Sequence, residues 1–302
     1  MFLDRLAGAL PPPPTGQVWI GDDAAVLADG VLFATDTLVE GVHFDLRFST
    51  LPDAGWKALA VNCSDIAAMG GVPRAAVAAV VVPEGRPGVA DGLAEGIMAA
   101  AGALGCPLVG GDTVVGPVLV LTVTVLGDAP ATGAVLRSGA RPGDAVYVTG
   151  PLGGPRAALG ALRRGEEPPA ASVERLHRPV PRLGEGRAAA AAGASAMIDL
   201  SDGLSSDLGH ICRQSGVGAV LEAAAVPRGA GASLEDALAG GDDYELCFTA
   251  PDAGWVEKAF AAARLAAPVR IGTVTQEGGI AVREGDGRVR PVPPSGWEHP
   301  VP

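Results

Sequence analysis

Lysine is almost absent from this chain: of 302 residues only Lys57 and Lys258 are lysines, and the acidic excess gives a net charge of −12. Nucleic acid and anionic membrane surfaces both reward clustered Lys and Arg, so neither is an expected partner. Long apolar runs are missing as well. The longest, Ala75 to Val82 and Val118 to Leu126, are strand-sized, well short of the roughly 20 residues that cross a bilayer. Met1 to Leu10 carries both charge signs and runs into Pro11 to Pro14, without the apolar stretch and cleavage site of a signal peptide, so a cytoplasmic location is expected. Cys63, Cys106, Cys212 and Cys247 stand far apart with no Cys-x-x-Cys spacing, which argues against zinc and against disulfides.

The familiar catalytic signatures are also lacking. There is no Gly-x-x-x-x-Gly-Lys-Ser/Thr loop and no His-Arg-Asp or Asp-Phe-Gly set, so neither common phosphate-binding scheme applies. No Ser-His-Asp or Cys-His pairing stands out, and His43, His177, His210 and His299 are scattered. Gly150 to Gly154 reads as a plain strand-to-helix turn. An acidic protein can still hold a polyanion where divalent cations mediate the contact.

With 48% hydrophobic residues the chain can bury a large core, and its length suggests two domains. Periodicity predicts strands at Val31–Thr35, Ala75–Val82 and Val118–Leu126, with an amphipathic helix at Gly55–Met69 and another at Val89–Leu104. The pattern breaks into turn residues near Gly133 to Asp144. A second unit follows, with a strand at Ala145–Thr149, helices near Arg156–Arg164, Arg182–Ala192, Leu204–Ser215 and Asp252–Ala262, and strands at Ala219–Leu221 and Tyr244–Thr249. Two mixed α/β domains, residues 1–135 and 136–302, are the expected architecture.

What the chain has in number is aspartate beside Gly, Ser or Thr: Gly21-Asp22-Asp23, Thr35-Asp36-Thr37, Ser64-Asp65, Gly110-Gly111-Asp112-Thr113, Asp199-Leu200-Ser201-Asp202-Gly203 and Gly240-Gly241-Asp242-Asp243. Any one of these is ordinary turn or cap chemistry. Together they suggest a site, because several follow apolar strands and so place carboxylates where α/β proteins bind ligands. Hard oxygen donors there suit Mg²⁺. Asp65, with Asn62 three residues earlier on the same helix face, is the clearest case, since a carboxylate in so apolar a run needs a partner. Ser201 and Asp202 precede a helix, where one of them can cap it or the free N–H groups can hold a phosphate.

In order, Gly21-Asp22-Asp23-Ala24-Ala25-Val26, Thr35 to Phe44, Lys57 to Gly70, Gly110 to Thr113, Arg137 to Asp144, Ile198 to Leu204 and Gly240 to Leu246 closely resemble thiamine-monophosphate kinase, a family grouped with aminoimidazole ribonucleotide synthetase, selenophosphate synthetase and a hydrogenase maturation factor. The resemblance spans almost the whole chain. It implies an N-terminal α/β domain whose sheet pairs with that of a second subunit in a homodimer, a C-terminal α/β domain, and ATP between them. Carried over residue by residue, it implies Asp23, Thr35, Asp36, Asp65, Asp112, Asp199 and Asp202 as ligands of several Mg²⁺ ions. Gly111, Asp112, Arg137 and Ser201 would contact ATP, and His43, Asp242 and Trp297 thiamine monophosphate. A potassium requirement stays open. The chain departs from the family at Asp242, where Glu is usual, and in its short Pro-rich N-terminus, which lacks the usual Gly-Glu-Phe-like opening.

The chemistry is consistent with that resemblance. A phosphate monoester has a second pKa near 6 and is largely dianionic at neutral pH, so it needs little help from a general base. What opposes reaction is repulsion between two phosphates, relieved by cations held on carboxylates with donor and acceptor in line. Alternatives are a paralogue acting on another acceptor and a nucleotide- or metal-binding module without turnover.

Overall fold

Val, Ala and Thr in alternation over residues 31–39, 72–83 and 120–128 build a sheet with one buried face. The computed structural model describes residues 2–297; His299 lies outside them. The N-terminal unit comprises α1 (Phe2–Ala9), β1 (Ala25–Val26), β2 (Val31–Val39), α2 (Leu51–Ala68), β3 (Val72–Pro83), α3 (Val89–Leu104), β4 (Leu108–Gly116) and β5 (Val120–Asp128). Its sheet runs β1-β2-β5-β3-β4, with β3 and β4 parallel and the other neighbours antiparallel. On β2, Leu32, Ala34 and Leu38 face inward and are buried, as the two-residue period of a strand requires. Asp36 falls in this same inward row. The opposite face stays open, with Phe33 and Val77 exposed, and β4 exposes almost every residue.

The C-terminal unit adds β6 (Ala145–Val148), α4 (Gly154–Arg163), α5 (Ala170–His177), α6 (Leu183–Ala191), β7 (Ala196–Asp199), α7 (Leu204–Ser215), β8 (Gly218–Glu222), α8 (Leu234–Ala239), β9 (Leu246–Ala250), α9 (Ala253–Ala262), β10 (Val269–Thr275), β11 (Gly279–Arg283) and β12 (Val289–Val292). The second sheet runs β12-β11-β8-β10-β6-β9-β7, and only the β11–β8 pair is parallel. Strands β6, β7 and β9 are buried along their whole length, because helices cover both faces of the sheet centre.

Helix α2 joins the two units. A capping box starts it: the Thr50 hydroxyl accepts from Asp53 N–H while the Asp53 carboxylate accepts from Thr50 N–H. The amphipathic helix expected here is in fact buried on nearly every side. One side packs on β2, β5 and α3, the other on α6 and β7, so the helix has no solvated stripe. Glycine permits that closeness: a Cβ on Gly96 would lie 1.9 Å from the Pro52 carbonyl oxygen, and one on Gly186 2.1 Å from that of Ala67. Beyond Ala67 and Ala68, the stacked rings of Tyr147, Phe248 and Phe260 continue the packing. Among the described residues no helix is long and apolar enough to cross a membrane. All four cysteines are buried free thiols.

Candidate functional site

Acidic residues distant in sequence meet in the cleft between the two units. Asp23 comes from the loop before β1, Asp65 from α2 and Asp199 from the end of β7, and their carboxylate oxygens lie within 4.8 Å of one another. Asp23 and Asp199 are placed by an ion pair and a hydrogen bond. The Arg137 guanidinium straddles Asp23 in a two-point contact at 2.8 and 3.2 Å, the Ser64 hydroxyl donates to Asp199 at 2.6 Å, and Asn62 accepts from the Asp36 N–H at 2.9 Å while donating to the Ala58 carbonyl. Asn62 therefore ties β2 to α2 at the height of the carboxylates.

Crowding shifts these groups strongly. Desolvation, followed by repulsion from Asp36 and Asp199, holds Asp65 well above the ordinary carboxylate range. For Asp199 burial again dominates, then Asp23, with Ser64 opposing. Asp36 is raised by burial and by Asp202 and Asp23. Next to them Asp22 is pushed up to about 7 by burial and by Asp23, although it accepts the Arg137 N–H. Burial disfavours the Arg137 cation, yet the attraction of Asp23 and Asp22 prevails and raises it. Carboxylates held together this way take up either protons or cations. Three hard oxygen donors this close together fit a Mg²⁺ ion.

The cleft around them offers about 710 Å³, within the range of about 300–1,000 Å³ usual for small-molecule sites. Thr35, Ser201, Asp202, His43, Asp242 and Trp297 also line it. Thr35 lies on the face of β2 opposite Asp36, and its hydroxyl bonds across to Val123 O and the Thr124 hydroxyl on β5. Neither Ser201 nor Asp202 caps α7. The N-cap is Gly203, without a side-chain cap bond, and Asp207 instead accepts the N–H groups of Asp202 and Gly203. Gly111 and Asp112 are not brought to this cleft. The sequence suggests a strand ending before the Gly-Gly pair, but β4 continues through Val114 and Val115 to Gly116, placing Asp112 mid-strand on the exposed edge. The Gly150–Gly154 stretch is a turn whose Gly153 N–H donates to Asp243.

Beside Leu200 and Ser201 the backbone is strained. Asp242 and Tyr244 adopt φ of 68° and 49°, a region non-glycine residues seldom enter. Their N–H groups donate to the Ser201 and Leu200 carbonyls, which locks the loop against the strand that carries Asp199. Here lie the residues that sequence reasoning missed. Tyr244 OH donates to Asp242 at 3.2 Å, and Lys57, almost fully buried, pairs with Asp242 at 2.8 Å. Lys57, Ser64 and Tyr244 all stand in segments that carry the resemblance, and the rarity of lysine is a further signal for Lys57, but no sequence pattern assigns any of them its partner.

Similarity to known proteins follows the same lines. The AIR synthase related protein family matches in both parts, its N-terminal domain over residues 21–129 and its C-terminal domain over residues 141–285. The thiamine-monophosphate kinase of Salmonella typhimurium is 41% identical over 268 residues, 83% of this chain and 81% of that protein. The solved structure of AaThiL complexed with AMPPCP and TMP is 31% identical with a TM-score of 0.84, covering 99% of this chain and 96% of that one. The thiamine-monophosphate kinase from Stenotrophomonas maltophilia K279a is 35% identical with a TM-score of 0.78, covering 94% and 95%. With carboxylates from both units converging on one cleft and this likeness running over nearly its full length, the chain belongs to the thiamine-monophosphate kinase family.

Proposed function

We propose that this protein transfers the γ-phosphoryl group of ATP to the phosphate of thiamine monophosphate, giving thiamine diphosphate and ADP. The observation that carries this reading is the convergence of Asp23, Asp65 and Asp199 within 4.8 Å in a cleft large enough for both substrates. Asp23, Asp36, Asp65 and Asp199 would hold Mg²⁺, with Thr35 and Asp202 at the margin. When bound, the metal screens the charge of the two phosphates and polarises the transferring group.

The chain's own residues orient and exclude. Arg137 brings a permanent positive charge to the phosphates, and Ser201, just before α7, lines the same cleft. No side chain has to remove a proton, because the acceptor phosphate arrives as a dianion. His43, Asp242 and Trp297 line the same cleft and would meet the acceptor. Trp297 offers a ring face and Asp242 a carboxylate, which suits the cationic thiazolium.

The division at residues 135 and 136 and a cytoplasmic, homodimeric protein complete the proposal. An edge strand exposing Val109, Val114 and Val115 beside an open sheet face calls for a partner, and a second copy is the one we assign. Pairing of that kind would also give Gly111 and Asp112 a nucleotide to meet. The test is magnesium-dependent ADP release on adding thiamine monophosphate, with thiamine as control. Release with the monophosphate alone is expected; ATP binding with no release from either compound would leave a binding module instead.

A further inference from the structure

Lysine 57 occupies a position that neither the metal cluster nor the phosphate end accounts for. It projects from α2, its side chain only 3% exposed, and a charge so buried persists only where it is paired. Its ammonium donates in two directions. One contact is the 2.8 Å ion pair with Asp242 of the C-terminal unit, the other a 3.2 Å hydrogen bond to the His43 carbonyl of the N-terminal unit. His43 is fixed further, since its Nδ1 accepts the Val39 N–H at 3.0 Å, which leaves the ring proton on Nε2. Asp242 is fixed further by Tyr244, which donates to the same carboxylate oxygen that Lys57 holds.

We propose that Lys57 is a positioning residue for the acceptor substrate: one buried ammonium sets the separation and orientation of His43 and Asp242, and with them the thiamine end of the cleft. This rests on the functional reading above. A compact ammonium with three donors can serve a carboxylate and a carbonyl at once in a closed space, which the planar fork of arginine cannot do without displacing one of them. A side pocket lined by Phe44, Phe48, Lys57 and Leu176 opens beside the pair and shares His43 and Asp242 with the main cleft. Lys57 thus borders the space an aromatic ring of the acceptor would enter. It does not border the carboxylate cluster, so its loss should leave the nucleotide end as it is.

The test is steady-state kinetics of Lys57→Met with both substrates varied. KM for thiamine monophosphate is expected to rise about tenfold or more, equivalent to about 1.4 kcal/mol, while KM for ATP and the saturating rate stay within about threefold. A residue that only stabilises the fold would lower the active fraction and leave both KM values alone, and that result overturns the proposal. So does an equal rise in both KM values, or a fall in KM for the monophosphate, which would mean that the ammonium acts only by offsetting the Asp242 charge. If Lys57→Met does not fold, Lys57→Arg is read by the same split, with a rise of about threefold or more expected and an unchanged value refuting. Should the wild-type protein itself release no ADP with thiamine monophosphate, the functional reading fails; a normal wild type with unaltered KM in the variant sinks only the role of Lys57.

Discussion

Removing one carboxylate from the cluster should make the protein more stable and less active at once. Asp23, Asp65 and Asp199 place oxygens within 4.8 Å of one another, and two unit charges at that spacing repel by about 3 kcal/mol at an effective dielectric of about 20. Asp65→Asn keeps the shape and eliminates two of the three repulsions. Arg137, Ser64 and proton uptake already offset part of the strain, so a net gain of about 1–3 kcal/mol is expected at pH 8, a melting temperature higher by roughly 2–5 °C in a chain of this size. The pH dependence has a definite sign. Because Asp65 and Asp199 are raised above 3.8 in the folded protein, the folded state binds more protons than the unfolded one above that pH, and stability without metal falls as pH rises through this window. A divalent cation bound to the folded state alone should reverse the loss by mass action. Thermal melts with and without millimolar MgCl₂, at pH 6 and pH 8, read every part of this. Wild-type protein should gain more from magnesium at pH 8 than at pH 6, and Asp65→Asn should start higher, gain little from magnesium and lose activity by about a hundredfold or more. A variant that melts below the wild type yet keeps the full magnesium shift would refute the argument.

Three further outcomes are expected. Ser64→Ala removes the 2.6 Å bond to the buried Asp199 carboxylate and should lower stability by about 1–3 kcal/mol in metal-free denaturant titrations; an unchanged midpoint would show that Asp199 finds another donor. Asp243 is pushed up to about 8, chiefly by burial, against the two contacts from Gly153 N–H, so it contributes a decline in stability between about pH 4 and pH 8. Asp243→Asn should flatten that decline by a few kcal/mol when urea midpoints at pH 5 and pH 8 are compared with those of the wild type, and identical slopes would count against it. Val115→Glu on the exposed edge strand should convert a dimer to monomers in sedimentation equilibrium, with a monomeric wild type disproving the pairing.

The sequence made local periodicity legible and long-range pairing illegible, and the boundary between them is visible residue by residue. Val89–Leu104 and Leu204–Ser215 coincide with α3 and α7, since each is long, apolar on a helical repeat and ended by a glycine in the left-handed region, Gly105 and Gly216. Helices α5 and α8 escaped notice, being eight and six residues long among Pro and Gly. So did β10, β11 and β12, whose pairings reach across long stretches of chain, as when Gly272 lies opposite Leu221 on β8 and Val146 on β6. At the site, the aspartates announced themselves by their clustering with glycine, but their partners did not. Ser64 and Asp199 are 135 residues apart and Arg137 and Asp23 114, and no local pattern encodes a contact at such range. The amphipathic reading of α2 failed for the same reason: what covers its second face is the C-terminal unit, which begins some eighty residues later. A lysine in an apolar helix is therefore informative only once the fold shows that no solvent reaches it, and then it identifies the loop whose charge it must answer.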